Sequence, residues 1–212
     1  MKIGILGSGS VAQTLGTGLL AKGHEVRLGT RDLSKVQDWM TAGGKRASSG
    51  SFEETAAFGD LIFLCTHGAG SLNALMMAGA DHLMGKVLVD VTNPLDFSQG
   101  VPPRFTATLG HSLGEQIQRL LPGTRVVKAF NTIAAQIMVH PQREEGLPTL
   151  TICGDDATAK AEVTTLAEAF GWEVEDMGGI EMAYWNEALA QIWILYGFKN
   201  NHWTHAFKLL KK

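Results

Sequence analysis

The sequence has little cysteine: only Cys65 and Cys153, each inside an apolar run, LIFLCT and LTIC. Such surroundings predict two buried, reduced thiols; the alternatives are a disulfide or a catalytic thiol. The sequence also lacks a C-x-x-C pair, and its seven histidines include no H-x-x-x-H pair. Metal ligands often occur at these spacings, so we expect no metal site.

Long apolar runs and an excess of positive charge are absent as well. Every apolar run is far shorter than the roughly 20 residues that a membrane-spanning helix needs. The formal net charge of −3 and the isoelectric point of about 6.2 favour neither nucleic acid nor an anionic membrane surface. No charged leader or cleavage site precedes the first predicted strand. We therefore expect a soluble cytoplasmic protein that binds no nucleic acid and no membrane.

What the chain does contain is short apolar runs that alternate with amphipathic segments. KIGILG (2–7) ends in glycine and predicts a strand buried on both faces, as in a parallel sheet. SVAQTLGTGLLAKG (10–23) has apolar residues at helical spacing. Further strands are predicted at HEVRLGT (24–30), DLIFLCT (60–66), KVLVDVTNP (86–94), RVVKAFN (125–131), LPTLTICG (147–154) and WEVEDMGG (172–179). This alternation predicts an α/β fold with a Rossmann-type, doubly wound, mostly parallel sheet.

The domain organisation follows from the absence of any break in composition. We expect one domain over residues 1–212, with the parallel sheet in 1–179 and a C-terminal helical extension in 180–212. IEMAYWNEALAQIWILYGF (180–198) is a long apolar helix candidate that follows the sheet. Such a helix needs a partner. Three alternatives remain open: the helix packs on its own sheet, it packs on a second copy of the chain, or it forms one wall of the substrate pocket.

The stretch GSGSVA (7–12) fits the pattern G-x-G-x-x-A. The pattern alone is weak, but here it follows a predicted buried strand directly and opens a predicted helix, which is the context that dinucleotide binding requires. Gly7 would allow the tight turn, Gly9 would let the backbone approach a pyrophosphate, and Ala12 would keep the helix close to the strand. The free N–H groups at the start of the helix would then face the phosphates.

The tip of the second predicted strand decides which cofactor is bound. NAD-type sites place there an acidic residue that binds both ribose hydroxyls and repels a 2′-phosphate. The spacing from the glycine turn puts Thr30 in that position, with Arg31 beside it and Lys35 one helical turn later. Arg31 can bind a 2′-phosphate in bidentate fashion. Asp32 would begin the next helix as a cap; the alternative is a shifted register in which Asp32 is the ribose acid. The sequence favours NADP(H).

Several stretches together resemble one family: KIGILGSGSVAQTLGTGLLAKGHEV, GTRD, VDVTNPL, VVKAFNTI, CGDDATAK and DMGGIEMA. From Lys2 to about Phe207 the chain is similar to the NADP oxidoreductases of the coenzyme F-420-dependent type, the NADPH:deazaflavin reductases. It is also similar to the cytosolic reductase domain of the six-transmembrane ferric reductases. The resemblance implies a self-contained soluble member that uses NADP(H), with a deazaflavin or a flavin as candidate co-substrate.

The resemblance also implies positions for the cofactor. The pyrophosphate would lie against Ser8, Gly9, Ser10 and Val11, and the 2′-phosphate against Thr30, Arg31 and Lys35. The nicotinamide ribose would lie against Thr66, His67 and Gly70, and the nicotinamide against Asn93 and Ala129. These positions follow predicted strands, where ligands bind in open α/β sheets. The alternative readings are structural: the segments at Thr66 and Asn93 would be simple turns, and Asn131 would cap the segment that follows it.

Two departures from the family pattern leave the electron acceptor open. Deazaflavin reductases usually carry a Pro-Trp-type pair after the third strand, where this chain has CTHGAG. They commonly have an Arg-Tyr pair after GGIEMA, where this chain has Tyr184-Trp185. Both differences fall around the expected acceptor pocket and not in the NADP site.

Together these features predict an NADPH-dependent oxidoreductase that passes a hydride directly between the nicotinamide and a flat acceptor. Direct transfer between two carriers needs positioning and exclusion of water but no obligatory catalytic residue. His67 is a candidate hydrogen-bond donor to the acceptor. The alternatives are a small-molecule imine or carbonyl dehydrogenase, which would usually carry a larger helical domain with a catalytic lysine, and a non-catalytic NADPH-sensing module. We also expect a homodimer.

Overall fold

A computed structural model of the protein describes residues 1–211. Strands alternate with helices along this part of the chain, as the sequence predicts. Short 3-10 turns lie at Leu33–Val36, Gly44–Arg46, Gly68–Gly70, Ala135–Ile137 and Ile180–Met182. The elements in chain order are β1 (Lys2–Leu6), α1 (Ser10–Ala21), β2 (Glu25–Gly29), α2 (Gln37–Gly43), β3 (Ala47–Gly50), α3 (Phe52–Phe58), β4 (Leu61–Leu64), α4 (Ser71–Ala78), α5 (Ala80–Leu83), β5 (Val87–Asp90), β6 (Leu95–Asp96), β7 (Arg104–Phe105), α6 (Leu113–Leu120), β8 (Arg125–Lys128), β9 (Thr149–Ile152), α7 (Ala157–Phe170), β10 (Glu173–Asp176) and α8 (Ala183–Asn200).

The central sheet contains six parallel strands in the order β3-β2-β1-β4-β5-β8. In its register Ile5 pairs with Leu28 on one side and with Phe63 on the other. The direction of winding reverses between β1 and β4, which is the doubly wound Rossmann arrangement. This confirms the predicted fold class. The carboxyl ends of β1, β2 and β4 meet at one edge of the sheet, next to the reversal point, where ligands bind in such folds.

The central strands β1, β4 and β5 are largely apolar because both faces of the sheet are covered. Ile62 and Leu64 of β4 pack in the layer that contains α3, α4 and α6, while Phe63 packs in the opposite layer, against α1 and α7. All three side chains are completely buried. Strands of a sheet with one solvated face would instead alternate apolar and polar residues. The unbroken apolar runs in the sequence therefore indicated the correct architecture.

The last two strands depart from the prediction that the doubly wound sheet continues through them. β9 and β10 form a separate parallel pair. β9 meets the main sheet through an antiparallel bridge between Lys128 and Cys153, whose two N–H···O distances are 2.9 and 3.2 Å. Parallel neighbours need a crossover connection, usually a helix. The segment between β8 and β9 holds only a 3-10 turn, so β9 returns antiparallel to β8.

Two elements were not predicted from the sequence. The edge strand β3 consists of small residues and a glycine, which carry little strand signal. The hairpin of β6 and β7 is only two residues long on each side and follows Pro94, where the sequence predicted no strand. No helix among residues 1–211 combines the length and the apolar character that crossing a membrane requires.

Helix α8 buries two of its polar residues. Asn186 and Glu187 are buried against the rest of the fold, whereas Trp185, Ile192 and Tyr196 are each about half exposed, at 54%, 57% and 50%. The helix packs on α6. Of the partners left open by the sequence, its own fold therefore covers one face of the helix, which holds buried apolar residues as well as these two polar ones, while several large apolar side chains outside that face stay exposed.

Candidate functional site

An open cleft of about 240 Å³ lies at the carboxyl ends of β1, β2 and β4. It brings together the glycine turn, the tip of β2 and the segment after β4. Eight of the thirteen predicted cofactor residues line it. The cleft is lined by Gly7, Ser8, Gly9, Thr30, Arg31, Asp32, Lys35, Phe52, Cys65, Thr66 and His67.

The glycine turn leaves the start of α1 free for an anion. Gly7 has φ +142°, and a Cβ there would lie 2.5 Å from the Cys65 carbonyl oxygen, so the position requires glycine. A Cβ at Gly9 would meet nothing within 4 Å. No side chain caps the helix and no acidic residue occupies its first turn. The unpaired N–H groups and the positive end of the helix dipole therefore face the cleft, which fits a pyrophosphate.

Thr30 connects the tip of β2 to the glycine turn. Its hydroxyl oxygen lies 3.1 Å from the Ser8 hydroxyl and 3.0 Å from the Asp32 carbonyl oxygen, and it accepts the Asp32 N–H at 3.1 Å. The side chain is only 8% exposed. Thr30 occupies the position of the usual ribose acid, but its hydroxyl is already engaged in holding two loops together. Thr30 therefore contributes to the site chiefly by holding the tip of β2 against the glycine turn.

Asp32 caps the turn that follows β2, as predicted. Its carboxylate accepts the Ser34 hydroxyl at 2.6 Å and the Ser34 N–H at 3.1 Å. These two hydrogen bonds hold the pKa of Asp32 below its ordinary value. The carboxylate is thus committed to the turn, which argues against the alternative in which Asp32 binds the ribose hydroxyls.

Arg31 and Lys35 are exposed at the rim of the cleft. Two cations beside the site of an adenine ribose suit a 2′-phosphate. Gln13 was missed in the sequence and supports this rim. Its side-chain amide donates to the Ser8 carbonyl at 2.9 Å and to the Lys35 carbonyl at 3.1 Å, so it ties the glycine turn to the basic segment. The only signal in the sequence was its place in the first turn of α1.

The segment after β4 meets the hairpin of β6 and β7. The Thr66 hydroxyl lies 3.2 Å from that of Ser71, which holds the turn into α4. His67 is exposed, and its ring centroid lies 5.3 Å from that of Phe97 at the tip of β6. Gly70 ends the 3-10 turn at the surface. The hairpin therefore borders the cleft on the side where the predicted nicotinamide ribose residues lie.

Asn93 and Ala129 follow β5 and β8. A Cβ at Gly68 would lie 1.9 Å from the Asn93 carbonyl oxygen, so the loop after β4 packs directly on Asn93. Ala129 is completely buried and its N–H donates to the Asp90 carbonyl at 3.1 Å. The 0% exposure covers the whole residue, so the backbone of Ala129 lies beneath the surface together with its methyl group. Ser10 and Val11 lie in the first turn of α1, where Val11 packs on the core.

A buried cluster of charges lies under this edge of the sheet and was not recognised in the sequence. The Lys128 ammonium lies 2.8 Å from the carboxylates of both Asp90 and Glu187, and 2.5 Å from the Thr92 carbonyl. All three charged side chains are completely buried. Burial lowers the pKa of Lys128, but the two carboxylates raise it by more, so its net shift is upward. The sequence signal was a lysine inside the apolar strand RVVKAF.

Glu187 also fixes the start of α6. Its two carboxylate oxygens accept the N–H groups of Leu113 at 3.0 Å and Gly114 at 2.9 Å. Ser112 and Glu115 form a capping box there. The cluster thus joins β5, β8, α6 and α8 at the level of the cleft. Lys128 is fully bonded and inaccessible, so it is not a proton donor to a substrate.

Comparison with known proteins defines the class. Residues 2–94 match the family model described as NADP oxidoreductase coenzyme F420-dependent. A crystal structure of a candidate F420-dependent NADP-reductase from Arthrobacter sp. FB24 superposes with a TM-score of 0.94 at 39% identity, and each chain is covered completely. The metalloreductase STEAP3 of Rattus norvegicus is 36% identical over 89% of this chain. The chain spans only 36% of the length of that curated relative.

A more distant likeness concerns the fold alone. A reductive aminase from Aspergillus terreus, solved with NADPH, has a TM-score of 0.71 at 18% identity over 94% of this chain and 63% of its own.

The fold and the basic, glycine-lined cleft, together with the family and structure matches, define an NADP-dependent oxidoreductase. The chain belongs to the coenzyme F420-dependent NADP oxidoreductase family.

Proposed function

We propose that this protein transfers a hydride between NADP(H) and a flat acceptor such as a deazaflavin or a flavin. The observation that carries the proposal is the cleft, in which a free helix N-terminus and two exposed cations lie beside an aromatic hairpin. Bound NADPH would supply the hydride, and the chain's own residues would hold and orient its parts. No residue is assigned as catalytic.

Each part of the cleft is proposed to bind one part of the cofactor. The turn from Ser8 to Val11 would hold the pyrophosphate on backbone N–H groups, and Arg31 with Lys35 would hold the 2′-phosphate. Thr30 would keep these two loops in register. Thr66, His67 and Gly70 would line the nicotinamide ribose, and Asn93 would lie beside the nicotinamide, with the buried Ala129 beneath it. Phosphate at a helix start and beside arginine is strongly favoured, which supports this orientation.

The acceptor is proposed to lie under the hairpin of β6 and β7. One end of the hairpin places Phe97 against His67, and the other places Phe105 5.8 Å from Tyr184 of α8. Tyr184 occupies the place where the family commonly has arginine. A flat ring system would stack on such aromatic side chains, and the hairpin would exclude water from the transfer. His67 would donate a hydrogen bond to the acceptor.

The proposal is tested by mixing the protein with NADPH and one acceptor at a time without oxygen, while the absorbance of the dihydronicotinamide is followed. The acceptors are FMN, ferric citrate, a cyclic imine, and a deazaflavin whose reduction potential matches that of the NADP+/NADPH couple. Oxidation of NADPH by a deazaflavin or FMN would support the proposal. Tight NADPH binding without turnover of any acceptor would instead favour the NADPH-sensing module, and turnover of the imine alone would favour the dehydrogenase.

The structure makes the dehydrogenase less suitable. Such an enzyme usually needs a proton donor, and Lys128, the lysine buried beneath this edge, is completely excluded from solvent and bonded to three acceptors. Direct transfer between two carriers has no such requirement.

We further propose that residues 1–212 act as one domain and that two copies form a homodimer through α8. The exposed apolar side chains of α8 support this, because large apolar groups that stay on one helix face usually mark an interface. Trp185, Ile192 and Tyr196 would lie in that interface. Sedimentation equilibrium of the protein and of an Ile192→Glu variant tests it: a monomeric parent protein would refute the dimer.

A further inference from the structure

Asn131 lies three positions after the end of β8, at the turn that leaves the sheet beside Asn93. It is 6% exposed. The sequence suggested that it caps the following segment, but the 3-10 turn there begins at Ala135 and its cap position is Ala134. Asn131 therefore has a different role, and its hydrogen bonds show what it holds.

The side chains of Asn93 and Asn131 hold each other in one orientation. The Asn93 amide nitrogen donates to the Asn131 backbone carbonyl at 2.8 Å. The Asn131 amide nitrogen donates to the Asn93 side-chain oxygen at 3.0 Å and to the Asn186 carbonyl in α8 at 2.9 Å. The two backbone carbonyls can only accept, so neither amide can turn over without placing oxygen against oxygen. The orientation of the Asn93 amide is thus determined by Asn131.

The same turn carries two unfavourable features. The side-chain oxygen of Asn131 is buried and has no hydrogen-bond partner among residues 1–211. Phe130, just before it, has φ +60°, the left-handed region, although it is a large aromatic residue that is 1% exposed. A buried unpaired acceptor and a strained backbone both lower stability. Such features persist mostly where function requires the geometry, and here they lie next to the position proposed for the nicotinamide.

We propose that Asn131 is a positioning residue for hydride transfer. It holds the Asn93 amide toward the nicotinamide and fixes the position of that amide relative to α8. The inference rests on the proposed function, since it takes Asn93 to lie beside the nicotinamide. Through Asn186, the orientation of Asn93 depends on the position of α8. A ligand or a second subunit that moves α8 would therefore change the alignment of the nicotinamide and leave the phosphate end of the site unaffected.

The test uses Asn131→Asp, which keeps the shape of the side chain but puts an oxygen where the N–H groups were. Asn131→Ser is the second variant, in case the aspartate prevents folding, and Asn73→Asp on the exposed face of α4 is the matched control. Four quantities are measured: the affinity for adenosine 2′,5′-bisphosphate, the affinity for NADPH, the fluorescence anisotropy of bound NADPH, and the rate of turnover of FMN or a deazaflavin. The bisphosphate lacks the nicotinamide and reports only the phosphate end.

We expect the Asn131 variants to bind the bisphosphate like the parent protein, but to show lower anisotropy of the bound dihydronicotinamide and at least tenfold slower turnover of FMN or the deazaflavin. An unchanged anisotropy in both variants would overturn the inference and leave the proposed function standing. Equal losses for the bisphosphate and NADPH would also overturn it, because they would indicate damage to the fold. A parent protein that binds neither ligand would overturn the proposed function, and this inference with it.

A double-mutant cycle separates positioning from direct contact. Asn93→Ser, Asn131→Ser and the double variant are compared for NADPH anisotropy and turnover. If Asn131 acts through Asn93, the double variant will resemble Asn93→Ser alone, since effects on one chain of contacts do not add. Additive losses would show that Asn131 acts independently and would contradict the proposed role.

Discussion

The Lys128 ammonium lies 2.8 Å from the Glu187 carboxylate, and both side chains are completely excluded from solvent. Asp90 binds the same ammonium at 2.8 Å. This contact joins the last strand of the parallel sheet to the last helix of the chain. Because the carboxylate also binds the start of α6, one side chain fixes the position of α8 beside the cleft.

Glu187→Gln is expected to lower the free energy of unfolding by about 3 kcal/mol, because removing one partner leaves a buried charge incompletely compensated. Urea unfolding measures it. Glu168→Gln, on the exposed face of α7, is the control and is expected to change stability by less than about 0.5 kcal/mol. Equal effects of the two variants would show that the buried contact with Lys128 adds nothing.

The pH dependence of stability follows from the raised pKa of Lys128, whose ordinary value is 10.5. A group whose pKa is higher in the folded state stabilises the fold fully below its unfolded pKa, and this contribution is lost as the pH rises through the folded pKa. We therefore expect the contribution of the cluster to be constant from about pH 7 to pH 10 and to fall only above about pH 10.5.

The measurement compares urea unfolding of the parent protein with that of a neutral triple variant, Lys128→Met with Asp90→Asn and Glu187→Gln. All other titrating groups are shared by the two proteins, so their difference isolates the cluster. A difference that already declines between about pH 7 and pH 9 would contradict the upward shift.

Two glycines of the cofactor turn are expected to respond in opposite ways. Gly7→Ala should destabilise the fold by about 3 kcal/mol, because the backbone is left-handed and the added carbon would lie 2.5 Å from the Cys65 carbonyl. Gly9→Ala should leave stability within about 0.5 kcal/mol, since its methyl group meets open space. It should nevertheless weaken NADPH binding at least about tenfold by blocking the approach of the pyrophosphate. Thermal unfolding and calorimetric titration separate the two effects.

Arg31→Ala is expected to weaken NADPH binding about 30-fold, on the order of 2 kcal/mol, while NADH binding changes little, because only NADPH carries the 2′-phosphate. Arg46→Ala, on an exposed turn outside the cleft, is the matched control. Affinities are measured by titration of both nucleotides. Equal losses for NADPH and NADH would indicate that Asp32 binds the ribose after all.

Both thiols are expected to be unreactive in the folded protein. Burial is the main reason that the pKa of Cys153 rises to about 12, and burial likewise raises that of Cys65, so neither forms thiolate near neutral pH. Iodoacetamide labelling at about pH 8 should follow the rate of unfolding for Cys153, which is buried, and should stay slow for Cys65, which is partly exposed at the cleft but has a raised pKa. Rapid labelling of either thiol under native conditions would refute this and revive a reactive role for that cysteine.

The sequence by itself determined the parallel sheet, the glycine turn and the cap at Asp32. These features depend on local spacing: unbroken apolar runs require a sheet covered on both faces, and a turn between a buried strand and a helix has few solutions. The capping boxes at Ser51 and Ser112 are local in the same way, since each joins residues three positions apart.

Only the tertiary structure decided the rest. The contacts of Lys128 with Glu187 and of Asn131 with Asn93 join residues 59 and 38 positions apart, and no local pattern specifies such pairs. The sequence did not predict that β9 runs antiparallel to β8, because strand direction depends on the path of the connection. The sequence predicted α8 only as a long apolar helix. Its residues Asn186 and Glu187 are buried, and the Glu187 carboxylate contacts the buried Lys128 and accepts the N–H groups at the start of α6.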